Sequence, residues 1–167
     1  MHLTCPGNVI AVTRRHPELI QVLKATGCRV VIHDHADQGM GTSIAAGVAA
    51  TAGASGWVIA LGDMPSIRVD TVMAVVDALR AGARVAVPVV GGKRGHPVGF
   101  SAYYLARLLA LTGDAGAREI LAEDASFIEE IHVDDAGIFA DIDTVSDLNR
   151  QAFAEPHLSR EGDSTNH

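Results

Sequence analysis

The sequence predicts an α/β fold in which a mostly parallel β-sheet is covered by helices on both faces. Short β-branched runs alternate along the chain with longer stretches rich in Ala and Leu. The short runs are apolar throughout, as is typical of parallel strands buried on both sides. The chain has 167 residues, of which 48% are hydrophobic, and is long enough for one domain with a substantial core. These observations favour a three-layer α/β sandwich.

Each element is predicted from its local pattern. Pro17 is well placed in the first turn of a helix, and a glycine-rich turn at 39–42 precedes a helix of small residues. The predicted strands cover residues 9–13, 29–32, 57–61, 84–88 and 127–133, with a short apolar piece at 138–140. The predicted helices cover residues 17–26, 43–51, 68–81, 102–111, 114–123 and 145–153. We expect one domain over residues 1–153 and a disordered polar tail over residues 154–167.

Composition argues against several classes of function. The formal net charge of −7 disfavours a protein that binds nucleic acid or an anionic membrane, because both need a basic face. Charged residues, glycine or proline interrupt every apolar run before 18 residues, so no transmembrane helix is expected. Cys5 and Cys28 form no CxxC pair, and the first residues lack the pattern of a secretory signal. The expected location is therefore the cytoplasm.

The segment Leu61-Gly62-Asp63-Met64-Pro65 holds a candidate metal ligand. An apolar strand ends here, and the proline stops the strand and fixes the turn. The Asp63 carboxylate is then held at the carboxyl edge of the sheet, where ligands bind in open α/β sheets. Mg²⁺ takes one or two carboxylates together with substrate phosphates, which fits a single aspartate at this place. The alternative is an aspartate that caps the next helix.

Two carboxylates near the C-terminus repeat this pattern. Asp141 and Asp143 flank Ile142, so in an extended backbone they point the same way, and a helix follows at once. One of them is a candidate second ligand for Mg²⁺. The alternative is that Asp143 or Thr144 only caps the last helix.

The turn at residues 39–43 is a candidate anion site. Its glycines allow a ligand to approach the backbone closely, and the helix that follows offers free N–H groups and a positive dipole. Alone the signal is weak, because many turns between a strand and a helix contain glycine. His33 and His35 lie on one side of an extended segment, but no further convergent ligand is signalled for zinc.

Two further loops carry charged groups between glycines. Residues 92–97 concentrate two cations and His96, which suits a phosphate or a polar heterocycle, although a solvated basic turn is the alternative. Residues 113–118 start a helix with Asp114 at its N-cap. Arg118 lies one turn later, so a weak Asp114–Arg118 surface pair is the alternative to a role in binding.

In their order along the chain, five segments resemble the successive motifs of the molybdenum cofactor cytidylyltransferases, a branch of the MobA-like nucleotidyltransferases. The segments are GMGTSIAAGV (39–48), ALGDMP (60–65), GKRGHPVGF (92–100), GDAGAR (113–118) and DIDTVSDL (141–148). The resemblance covers the chain from Val9 to about Arg150. It implies a sandwich similar to that of the nucleotide-diphospho-sugar transferases.

The resemblance also implies a reaction and a set of roles. CMP is transferred from CTP, with GTP the less favoured nucleotide, to the terminal phosphate of molybdopterin, and pyrophosphate is released. Asp63 and either Asp141 or Asp143 are then the catalytic and Mg²⁺-binding residues. The implied nucleotide-binding residues are Gly39, Gly41, Thr42, Ser43 and Asp63, and the implied molybdopterin-binding residues are Arg94, Gly95, His96, Pro97, Asp114 and Arg118. A molybdoenzyme is an implied partner.

One family motif has no counterpart in the sequence. Members of the family begin with a strand and a loop of the form LAAGxSxRMGxxK, which holds the triphosphate, and residues 9–13 resemble their second strand. The missing strand would lie between residues 9–13 and 57–61, which leaves two inner edges unpaired and makes a homo-oligomer an expectation. Either the start at Met1 is misassigned, or the chain is a truncated relative with impaired catalysis.

Two other functions remain open at this point. A truncated relative could bind a pterin as an accessory protein for the maturation of a molybdoenzyme. An oxidoreductase acting on a heterocycle could use the same fold, although no GxGxxG fingerprint follows a strand.

Overall fold

The computed structural model describes residues 9–114 and 116–142, and it contains twelve regular strands and helices. In chain order they are β1 (Ile10–Thr13), α1 (Pro17–Ala25), β2 (Arg29–Ile32), α2 (Met40–Ala49), β3 (Gly56–Ile59), α3 (Val69–Ala81), β4 (Val85–Val90), β5 (Lys93–Arg94), β6 (Val98–Ser101), α4 (Leu105–Leu109), α5 (Arg118–Glu123) and β7 (Ile128–His132). Single turns of 3₁₀-helix at Ala36–Gln38, Ala102–Tyr104, Ala125–Phe127 and Ala136–Phe139 complete the description. The predicted helix at 145–153, Asp143 and the tail lie outside the described residues.

The strands form two sheets. β1 and β2 pair in parallel, and the second sheet has the order β3-β6-β4-β5, with β7 on β4. β6 is antiparallel to both β3 and β4, while β7 is parallel to β4. β3, β4 and β7 therefore run in one direction, and their carboxyl ends meet at one edge. Among the described residues, β1 pairs with β2 alone and β3 with β6 alone.

Helices cover both faces of the larger sheet. Along β4, Val85, Val87 and Val89 face a core that includes residues of α2, α4 and α5, whereas Ala86 faces α3. This alternation follows from the two-residue period of a strand. Gly99 in β6 gives α3 its close approach, since an added Cβ would lie 2.8 Å from a methyl carbon of Val75.

The α/β sandwich predicted from the sequence is confirmed, but several details of the prediction are wrong. The helix expected at 43–51 is Met40–Ala49, and residues 138–140 do not form a strand. The expected run of parallel strands is interrupted by β6, an antiparallel strand that the sequence analysis did not predict. The helices expected at 102–111 and 114–123 are shorter, at Leu105–Leu109 and Arg118–Glu123. In the part of the chain that the structure describes, no helix has the length and apolar character needed to cross a bilayer.

Candidate active site

Three loops meet at the carboxyl edge of β3 and β4. The first follows β3 and carries Asp63. The second, at residues 95–97, leads into β6 and lies beside the first, because Val98 at the start of β6 pairs with Ile59 at the end of β3. The third, at residues 133–142, follows β7. Because β6 runs antiparallel to β3, the loop at residues 95–97 lies next to the loop that carries Asp63.

Asp63 and Asp141 share one cavity. The backbone N–H of Ile142 donates a hydrogen bond of 2.8 Å to the carbonyl oxygen of Asp63, which joins the first and third loops. Both aspartates are exposed and line a cavity of about 270 Å³ together with His96, Arg94 and Arg118, among others. The two carboxylates predicted as metal ligands are thus on one surface.

This donor set fits a hard divalent cation that also binds a substrate. Among residues 9–114 and 116–142, no group of three His, Cys, Asp or Glu side chains forms a complete metal site. Two carboxylates on an open cavity leave coordination positions for phosphate oxygens and water, as Mg²⁺ sites at phosphates require. Asp63 and Asp141 are the residues that would hold such an ion.

His96 lines the same cavity as the two aspartates. Its backbone N–H donates to the carbonyl oxygen of Ile138 at 3.1 Å, and its Nδ1 atom is buried without a hydrogen-bond partner in the described structure. Burial lowers the pKa of His96 below 6.5, the nearby Asp63 carboxylate opposes this shift, and the positive charge of Arg118 adds to it. The imidazole is therefore neutral at pH 7, with one nitrogen able to accept a proton or a hydrogen bond.

Two cations accompany His96. Nε of Arg94 donates to Oε1 of Glu130 on β7 at 2.8 Å, which fixes the direction of a half-exposed side chain. Arg118 is the first residue of α5 and lines the same cavity. Asp114 and Arg118 are both described and form no ion pair with each other, so the weak surface pair considered from the sequence is absent.

A second cavity of about 320 Å³ adjoins the first. Leu61, Arg94, Gly95, His96 and Arg118 line both cavities. The other lining residues are mostly apolar: Met40, Ile44, Ile59, Val87, Val98, Phe100, Asp114, Ala117 and Leu121. The site therefore has a charged part and an apolar part.

Close backbone packing explains the glycines in the turn at residues 39–42. Gly39 has a φ of +105°, and an added Cβ would lie 2.2 Å from the carbonyl carbon of Gly113. The N–H of Gly41 donates to the oxygen of Gly113 at 2.8 Å. Backbone packing against the 112–114 loop thus requires both glycines. Gly39, Gly41, Thr42, Ser43 and Pro97 do not line the two cavities, whereas Met40 and Ile44 do.

Thr42 and His33 have local partners. Oγ1 of Thr42 donates to the carbonyl oxygen of Gly39 at 2.8 Å and lies 3.0 Å from Nε2 of His33. His33 and His35 contact each other edge to face, with ring centroids 6.1 Å apart. His33 therefore belongs to the support of the turn.

The sequence analysis missed the residues that hold the third loop. Asp135 is 5% exposed, and its carboxylate accepts hydrogen bonds from the backbone N–H of Arg68, the hydroxyl of Thr71 and the backbone N–H of Gly137. Ile138 packs so closely on Gly95 that a Cβ there would lie 2.6 Å from it. An aspartate two residues before a glycine is a turn signal that could have identified Asp135.

Comparison with known proteins identifies the family. Residues 2–129 match the family described as the MobA-like NTP transferase domain. The chain belongs to the MobA-like NTP transferase family. The family resemblance stated from the five motifs is therefore confirmed.

This MobA-like chain is also similar to individual proteins and to several solved structures. The chain is 30% identical over 130 residues to nicotine blue oxidoreductase of Paenarthrobacter nicotinovorans, and the match covers 73% of the chain and 63% of the relative's length. A nucleotidyl transferase from Methanothermobacter thermautotroptrophicus has a TM-score of 0.70 at 25% identity, with 85% of this chain and 70% of that chain covered.

Rv0371c of Mycobacterium tuberculosis has a TM-score of 0.69 at 25% identity, with 84% and 73% of the two chains covered. The same protein has also been solved as a complex with manganese, and that structure matches at 24% identity with a TM-score of 0.70, over 89% and 78% of the chains. These neighbours confirm the nucleotidyltransferase-type fold.

Proposed function

We propose that the chain is a Mg²⁺-dependent cytidylyltransferase that moves CMP from CTP to the terminal phosphate of molybdopterin. A phosphate oxygen of molybdopterin attacks the α-phosphorus of CTP, a P–O bond forms, and the bond to the departing pyrophosphate breaks. The observation that carries the proposal is the cavity shared by Asp63 and Asp141, two carboxylates with Arg94 and Arg118 beside them. Opposite charges on one surface suit a metal-bound triphosphate and a second phosphate.

The residues act by position and charge. Asp63 and Asp141 would hold Mg²⁺, with Asp143 the alternative to Asp141, and a cation held there would offset negative charge on the reacting phosphates. Arg94 and Arg118 bind the phosphate of molybdopterin, and Arg94 is oriented for this by Glu130. Neutral His96 accepts a hydrogen bond from molybdopterin, and it adds no third positive charge to those of Arg94 and Arg118.

The loops supply the two ends of the site. Gly95, Pro97 and Asp114 complete the molybdopterin side in this proposal. Gly39, Gly41, Thr42 and Ser43 belong to the nucleotide side, at the start of α2, where a helix N-terminus favours an anion. A molybdoenzyme that receives the product is the proposed partner.

A second candidate function is an oxidoreductase that acts on a heterocycle. The name of the 30% identical relative, nicotine blue oxidoreductase, favours it. The apolar cavity beside the charged one adds support, because it suits a ring. This candidate requires an electron acceptor or donor that binds together with the heterocycle.

The deciding experiment measures pyrophosphate release from CTP in the presence of Mg²⁺ and molybdopterin, with GTP as the comparison. Wild-type protein is expected to release pyrophosphate with CTP and to stop when Mg²⁺ is chelated. Asp63→Ala is expected to lower turnover by about 100-fold or more, since the reacting phosphates lose their bound cation. Asp77→Ala, at an exposed position of α3 that lines neither cavity, is the matched control and is expected to retain turnover.

Each alternative has its own result. Equal losses in Asp63→Ala and Asp77→Ala contradict the assigned site. Binding of molybdopterin by a folded protein that releases no pyrophosphate favours the accessory protein. Faster pyrophosphate release with GTP than with CTP contradicts the proposed use of CTP, but it is consistent with nucleotidyl transfer.

A further inference from the structure

The proposed transfer uses the polar residues that line the cavity of about 320 Å³ beneath α2, but it does not use the apolar walls of that cavity. Its floor is the larger sheet, where Val87, Val98 and Phe100 are 7% exposed or less. Ile44 of α2 and Leu121 of α5 form the opposite wall. These five side chains offer no hydrogen-bond donor or acceptor. A ligand that enters this space must therefore be apolar where it contacts them, because an unpaired polar group would be buried at a cost.

The basic residues of this cavity lie on the side that it shares with the first cavity. Arg94, His96 and Arg118 also line the adjoining cavity, so they mark the border between the two spaces. Arg94 already donates to Glu130, while the side chain of Arg118 forms no hydrogen bond or ion pair among the described residues. A negatively charged group at the border would pair with Arg118. Asp114, on the same cavity, disfavours a second anion.

We infer that this cavity binds an uncharged aromatic ring system, of one or two fused rings, whose single anionic substituent pairs with Arg118. The volume suits a ligand of that size, since small-molecule sites begin at about 300 Å³. Phe100 on the floor offers an aromatic contact for the ring. A pterin carries several ring N–H and carbonyl groups, which the apolar walls cannot pair. The inference therefore goes beyond the proposed function, and the occupant competes with molybdopterin for Arg118.

The test is calorimetric titration of the full 167-residue chain with three probes, in the absence of nucleotide and metal. 2-Naphthoate supplies an apolar ring and one carboxylate, 2-naphthylmethanol lacks the charge, and pterin-6-carboxylate has the charge on a polar ring. We expect 2-naphthoate to bind at least about tenfold more tightly than either comparison probe. Tight binding of pterin-6-carboxylate, or no binding of 2-naphthoate, overturns the inference.

Three variants locate the bound probe. Ile44→Asp places a charge in the apolar wall and is expected to weaken 2-naphthoate binding by about tenfold or more. Val22→Asp makes the same kind of change on exposed α1, away from both cavities, and is expected to leave binding unchanged. Arg118→Met is expected to remove the preference for 2-naphthoate over 2-naphthylmethanol.

The inference can still be tested if one of these variants misfolds. Circular dichroism shows whether Ile44→Asp folds, and exposed Arg118→Met tests the charged border independently. Unchanged 2-naphthoate binding in folded Ile44→Asp, or an unchanged charge preference in Arg118→Met, overturns the inference. A chain without pyrophosphate release can still bind 2-naphthoate, so failure of the proposed function and failure of this inference are distinguishable.

Discussion

His96 is the residue at which the loops of the site meet. Its backbone is bonded to Ile138 of the third loop, and its ring interacts electrostatically with Asp63 and Arg118. Burial is the largest cause of its lowered pKa, because a charged imidazole loses hydration there. The pKa of His96 therefore depends on how the loops of the site are arranged around it.

The pKa of His96 gives a test that needs no substrate. Titration followed by NMR is expected to give a value below 6.5 in the wild type. Asp63→Asn removes a negative charge that raises this pKa and is expected to lower it further, whereas Arg118→Met removes a positive charge and is expected to raise it. Shifts of the same sign in both variants contradict the described geometry.

At the scale of elements, the segment after β7 determines the shape of the site. Asp135 joins this segment to the start of α3 through two hydrogen bonds, from the backbone N–H of Arg68 at 2.9 Å and the hydroxyl of Thr71 at 2.6 Å. A third, from the backbone N–H of Gly137 at 2.9 Å, lies within the segment. Gly137 lies so close to the backbone of Ser66 that an added Cβ would be 2.2 Å from its oxygen. From this anchor the chain continues past Ile138 to Asp141. One buried carboxylate therefore positions a candidate metal ligand six residues later.

Replacement of Asp135 is expected to reduce stability in a pH-dependent way. Asp135→Ala leaves two N–H groups and a hydroxyl without their acceptor, which lowers the free energy of unfolding by about 3 kcal/mol at pH 7. Its hydrogen bonds lower the pKa of Asp135 below 3.8, although burial opposes them. The stabilisation is therefore present above pH 3.8 and is lost as the pH falls through the lower, folded-state value.

Denaturant unfolding of wild type and variant at several pH values measures this difference. The exposed neighbour provides the control, and Asp134→Ala is expected to change the free energy of unfolding by less than about 0.5 kcal/mol. A difference between wild type and Asp135→Ala that is as large well below pH 3.8 as at pH 7 contradicts the assignment.

At the scale of the whole molecule, the two sheets differ in the number of strands and helices that stabilise them. β4 pairs with β5, β6 and β7 and is covered by helices on both faces. β1 and β2 pair with each other, and among the described residues no further strand joins them. Two-stranded ribbons are of marginal stability unless other elements cover them.

Hydrogen exchange is expected to reveal this difference. Amides of β1 and β2 should exchange at least about tenfold faster than those of β4 and β6, because the smaller sheet opens without unfolding of the larger one. Exchange followed by mass spectrometry of the full chain measures both regions at once. Equal protection would contradict the description, and it would indicate that a further segment or a second copy pairs with β1.

Local pattern determined a large part of this protein. β2 has the bounds predicted from its β-branched run, and α1 begins at Pro17 as its first-turn preference predicts. The five motifs were sufficient to place the chain in its family. Asp63 follows a buried strand, so its position at the sheet edge could be predicted from the sequence. Strand period, helix spacing and proline are short-range properties, and a single sequence shows them directly.

Pairing across the chain was decided only by the tertiary structure. β6 is four residues long, and only its contacts with β3 and β4 identify it as an antiparallel strand. Asp135 accepts a hydrogen bond from Thr71, 64 residues earlier in the chain. Ile138 packs so closely on Gly95 that a side chain at this position would clash with it. Such contacts depend on which distant segments the fold brings together. No local preference encodes them, because the free energy that favours them is gained only when both segments are in place.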